Sequence, residues 1–128
     1  MKKGLLLLFI AISALSFSCK KDKAAPRSLE IYGKWKLTET MTDPGDGSGK
    51  YMKATGEPKY LNFNKDGKLE GNALSFDTFR YKILDSTKME VLYNVYLPAQ
   101  IFGYKLSEEN LEIYPRCIEG CGLRFVRQ

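Results

Sequence analysis

The stretch Phe102-Gly103-Tyr104-Lys105-Leu106-Ser107-Glu108-Glu109-Asn110-Leu111-Glu112-Ile113 decides the fold class of this 128-residue chain. Phe102, Tyr104 and Leu106 alternate with Gly103 and Lys105, and Leu111 and Ile113 flank Glu112. A period of two marks a strand with one buried face, because successive side chains leave a pleated backbone on opposite sides. The polar Ser107-Glu108-Glu109-Asn110 between the runs supplies a turn, so the stretch reads as a β-hairpin. The same alternation recurs on either side. Upstream, Met89, Val91 and Tyr93 alternate with Glu90, and Phe79, Tyr81 and Ile83 with Thr78, Arg80 and Lys82. Earlier still, Leu61 and Phe63 alternate with Asn62 and Asn64, and Trp35 and Leu37 with Lys34, Lys36 and Thr38. Downstream, Leu123-Arg124-Phe125-Val126-Arg127 is strand-like, with either face able to turn inward.

Turn signals separate these runs. Asn64-Lys65-Asp66-Gly67 carries residues that tolerate the positive φ of tight hairpins, and Asp85-Ser86-Thr87-Lys88 is a weaker example. With a weaker run at Lys68–Gly71, about eight strands follow, and no segment of helical period follows the N-terminal region. Sequential hairpins predict an all-β, small antiparallel up-and-down barrel, since closure removes exposed sheet edges. An open sheet or a sandwich is the alternative. Met41 to Pro58, with Pro44, Gly45, Gly47, Gly49, Gly56 and Pro58, reads as one long connection. Its Tyr51 and Met52 suit a lid over a barrel mouth, and an unstructured loop fits as well.

The N-terminus has another character. Lys2 and Lys3 precede the apolar run Gly4–Leu15, the pattern of a secretory signal and shorter than the roughly 20 residues that span a bilayer. Ser16-Phe17-Ser18-Cys19 then resembles the lipobox of bacterial lipoproteins, in which the chain is cut before a cysteine that carries diacylglycerol. The resemblance implies a signal peptide over residues 1–18, a lipidated tether over 19–28 broken by Pro26, and a folded domain over 29–128. It also implies a cell-envelope protein held by lipid on Cys19, expected on the outer membrane facing the periplasm. A plain secreted protein and an uncleaved anchor helix are the competing readings of the segment.

Losing Lys2 and Lys3 with the signal lowers the formal charge from +5 to +3, and part of that excess sits in the tether at Lys20, Lys21, Lys23 and Arg27. No clustered basic face remains, so nucleic acid is not an expected partner. With Cys19 assigned to lipid, Cys117 and Cys121 are left as an even pair in an oxidising compartment, and a disulfide between them is expected. Two thiolates do not complete a zinc site, and the chain has no histidine.

Gly33-Lys34-Trp35 on the first strand, with Arg124 and Arg127 in the last, resembles the lipocalin signature of Gly-x-Trp with a late arginine packed across the tryptophan. Residues 29–128 resemble the small lipocalin-like domains of bacterial lipoproteins, which implies a barrel plugged at one end by Trp35. Either arginine could cover it. An ordinary core tryptophan with two solvated arginines is the plainer reading. Histidine-based triads are excluded, and Gly45–Gly49 lacks the Lys-Ser/Thr of a phosphate loop. Asp43-Pro44-Gly45-Asp46-Gly47-Ser48-Gly49 lacks calcium-ligand spacing and reads as a turn-rich loop. Neither an enzyme, a metal nor a cofactor is expected. Phe63, Phe79, Tyr81, Tyr93, Phe102 and Tyr104 are the expected lining of any ligand site, and their bulk predicts a small cavity or none. The expected function is binding of a small apolar or amphipathic molecule. The alternative is an envelope protein-interaction module around a filled barrel, with Tyr96-Leu97-Pro98 on its rim.

Overall fold

The structure, a computed structural model, describes residues 29–74, 80–93 and 95–128. Cys19, the segments expected to be signal and tether, and Phe79 lie outside the described residues. Among the described residues nine strands follow in order: β1 (Gly33–Thr42), β2 (Lys50–Lys53), β3 (Tyr60–Phe63), β4 (Leu69–Gly71), β5 (Arg80–Ile83), β6 (Lys88–Leu92), β7 (Gln100–Leu106), β8 (Asn110–Tyr114) and β9 (Cys121–Arg127). Every pairing is antiparallel, and the sheet runs β4-β3-β1-β9-β8-β7-β6-β5, with β2 added on β1. Among the described residues there is no helix, so the all-β expectation holds. The hairpin that decided the fold class is β7–β8, in register at Tyr104↔Ile113 and Leu106↔Leu111. Ser107 N–H donates to Asn110 C=O at 2.8 Å and closes its turn.

The two ends of the path, β4 and β5, meet at a single bridge, Lys68↔Arg80, which nearly closes the sheet into a barrel. Tyr81 stitches this seam. Its N–H donates to Gly67 C=O at 2.9 Å, its hydroxyl donates to Asn64 C=O at 2.7 Å, and its ring meets Phe63 edge-on at 4.9 Å. Gly67 supplies the φ of +83° that the β3–β4 turn requires.

The long connection expected over Met41–Pro58 is not one loop. Lys50–Lys53 forms β2, which pairs with the second half of β1, while β3 pairs with the first half. β2 and β3 therefore share one lane beside β1, and residues 54–59 leave that lane as a short excursion. Ala54 N–H donates to Thr38 C=O and Leu37 N–H to Lys59 C=O, which pins both ends. Eight lanes thus hold nine strands. On its other side, β1 carries a bulge between Leu37 and Glu39 against β9. In strict alternation Glu39 would follow Leu37 into the barrel; with Thr38 as the extra residue, it faces outward beside Arg124.

The barrel interior is filled. Trp35, Phe63, Phe102, Phe125, Leu61, Leu69, Met89, Leu111, Ile113 and Val91 are essentially inaccessible, and no charged or polar residue is buried among the described ones. Each such side chain contributes roughly 1.5–3 kcal/mol by leaving water.

Candidate functional site

At one end the barrel is plugged. Trp35 is fully buried, and its indole N–H donates to Ile31 C=O at 2.7 Å, so the one polar atom of the ring is satisfied. Gly33 enters β1 with a φ of +109°, a conformation that favours glycine. Arg127 lies across the indole, with its guanidinium carbon 4.2 Å from the ring centre. Its three nitrogens donate to Glu108, Tyr32 and Glu30 carbonyls at 2.8, 2.9 and 2.7 Å. One side chain thereby ties β9, the β7–β8 turn and the segment before β1 together.

Arg124 is on the outer face. It pairs with Glu39 at 3.0 Å and Glu112 at 3.4 Å, and stacks on Tyr51 with 3.6 Å to the ring centre. Cross-strand register places Lys53, Glu39, Arg124, Glu112 and Lys105 in one row of alternating charge. The Tyr51 hydroxyl rests over Gly122, where a Cβ would collide with it. Of the two candidate arginines, Arg127 takes the place over the tryptophan, and Arg124 fastens the outer sheet.

Up-and-down connectivity brings residues 43–49, Tyr93, 95–99 and 115–120 to the opposite end. A cavity of about 470 Å³ lies there. Leu37, Leu74, Leu123, Met41 and Ala73 give it apolar walls, Tyr93 borders it from within, and Thr40, Thr42 and Gln100 add polar groups. Burial pushes the Tyr93 hydroxyl up to about 12, so it stays neutral across physiological pH. Among the described residues, Lys59 and Arg116 are the charged members of the lining. The wall beneath Arg116 is set by the Cys117–Cys121 disulfide, which the structure contains as expected. That loop is braced by Asp43, whose N–H donates to Gly120 C=O at 2.7 Å. The Asp43 carboxylate in turn accepts from the N–H groups of Gly45, Gly47 and Gly49 at 2.7, 3.0 and 2.9 Å, which lowers its pKa below the usual carboxylate range. The turn-rich loop thus has its own acid at its centre. Among the described residues, no group of three or more metal-ligating side chains forms.

Of the six side chains expected to line a ligand site, Tyr93 borders this cavity. Phe63 and Phe102 are close-packed in the core, and Phe79 lies outside the described residues. Tyr81 and Tyr104 are also buried, and their hydroxyls donate to Asn64 and Asp85 carbonyls at 2.7 and 2.8 Å, in turns at the plugged end. Lys59 and Arg116 were not singled out by sequence reasoning, because each is one more cation in a polar connection. In an up-and-down barrel alternate connections share an end, and applying that rule would have grouped Arg116 with the mouth. No protein family, curated protein or solved structure matched the chain.

Proposed function

We propose that this chain is a lipid-anchored protein of the bacterial cell envelope whose lipocalin-like barrel binds one small apolar or amphipathic molecule at its mouth. The observation that carries the reading is the mouth cavity of about 470 Å³. Its volume falls within the roughly 300–1,000 Å³ of small-molecule sites, and its lining combines apolar side chains with polar ones. The filled interior below moves the site from the barrel centre to its rim. The lipobox-like Ser16–Cys19 supports the anchor. Native mass spectrometry of the purified protein is expected to find a co-purifying small molecule that a cavity-filling Leu123→Trp variant lacks; the same mass in both would exclude the mouth. Fatty-acid analogue labelling is expected in the wild type and absent from Cys19→Ala.

A second reading is favoured by Val95, Tyr96, Leu97 and Ile118, large apolar residues exposed on the rim loops. They suit a partner protein of the envelope. Stoichiometric capture of one protein, abolished by Tyr96→Asp and with no small molecule bound, would favour this reading over the first.

A further inference from the structure

The mouth cavity mixes apolar and polar lining, and among the described residues its charge is of one sign. Among the described residues, Lys59 and Arg116 are its charged lining residues and no carboxylate borders it. Among the described residues, neither cation is paired with an acid. Glu119, in the same loop as Arg116, lies against Gly45 instead. The adjoining depression shares Leu37, Thr40 and Lys59 with the mouth and adds Glu57, but also Lys36 and Lys53, so its charge is again positive. Lys59 and Arg116 thus share one lining with no acid between them, unlike Arg124, which Glu39 and Glu112 hold, and Lys68, which Glu70 holds.

From this we infer that the mouth takes a single-chain amphiphile with an anionic head, a carboxylate or a phosphate monoester. The tail packs on Leu37, Leu74 and Leu123, and the head meets Lys59 and Arg116. A guanidinium offers paired N–H donors that match either oxyanion, and an ammonium adds a mobile point charge. The hydrocarbon stems of both side chains can lie along the apolar wall while their charged ends stay wet. A cationic head would meet two like charges, and an uncharged head would gain nothing from either. The inference rests on the binding reading above and specifies the ligand class of that same site.

The test uses the full-length protein in lipid nanodiscs and four eight-carbon probes carrying a diazirine on the chain. Their heads are carboxylate, phosphate, alcohol and trimethylammonium, and crosslinks are located by peptide mass spectrometry. Mouth peptides containing Leu37, Leu74 or Leu123 are expected to be labelled about two- to fivefold more by the anionic probes, the size of a partly exposed ion pair. Carboxylate against phosphate then identifies the head. Lys59→Gln with Arg116→Gln should level the four probes, and Lys59→Glu with Arg116→Glu should put trimethylammonium first. Unchanged Trp35 emission checks that these variants fold. Equal labelling of the wild-type mouth by alcohol and carboxylate would overturn the anionic head and leave the binding site standing. Absence of any label in the mouth would overturn both.

Discussion

Arg124 and Arg127 are three residues apart on one strand and serve opposite sides of the wall. Arg127 has the parity of the buried Phe125 and stands opposite Trp35, whereas Arg124 faces out opposite Glu39. Arg127→Ala removes three carbonyl contacts and the indole stack, so a loss of about 2 kcal/mol in urea unfolding is expected. Arg127→Lys should recover little, because one ammonium cannot reproduce the fork. A lysine variant as stable as the wild type would contradict this. Burial also holds the Tyr81 and Tyr93 hydroxyls near 12 against an ordinary value of 10. For an acid whose folded pKa is raised, the unfolded chain loses its proton first. The contribution is therefore complete below pH 10 and fades as the pH climbs toward 12. Urea midpoints should fall over that window, and less so in Tyr93→Phe. At this scale, Gly33 and Trp35 were legible in the sequence. The choice of arginine was not, because the apolar Val126 beside Phe125 leaves the facing of the last strand open.

Among the elements, β1 shows most clearly where alternation stops being a sufficient guide. Its pattern is regular to Leu37, and the bulge at Thr38 then resets the faces so that Glu39 avoids the core. Deleting Thr38 should leave the pairs on both sides in place and cost about 1–2 kcal/mol for the lost bonds of that residue. Deleting Lys36 instead slips the register and turns one half of the strand over, so no cooperative unfolding transition is expected. Equal damage from both deletions would rule out this account of the bulge. β2 escaped sequence reading because Tyr51 and Met52 are too short a run to show a period, and glycines surround them. Its place comes from partners distant in sequence, β1 above all. The Cys117–Cys121 bridge was legible from the number of cysteines and the compartment expected for the chain. It closes a short loop, so Cys117→Ser with Cys121→Ser should lower stability by only about 2 kcal/mol while Trp35 emission is kept. Global unfolding of that variant would show that the mouth loops hold the barrel together.

The whole molecule is a barrel with a strong side and a weak side. β1 and β9 pair along their length, while β4 and β5 touch at one bridge and through Tyr81. Native-state hydrogen exchange should therefore release the Tyr81 amide well before those of the β1–β9 ladder. Comparable protection at both would mean the seam is closed more firmly than its bonds suggest. The barrel as a class could be read from hairpin order, whereas its filled centre and its mouth depend on which rings interdigitate, which no one-dimensional pattern records. The plugged end has a consequence for traffic. Arg127 clasps the carbonyls of Glu30 and Tyr32 there, so the chain enters at the end that is shut. Under the proposed anchoring, residues 20–28 are a leash of at most about 35 Å between lipid and barrel. A vessel hung by its base opens toward the far side of the gap, so under the proposed binding its guest would be exchanged with whatever stands opposite rather than with the leaflet that holds the protein.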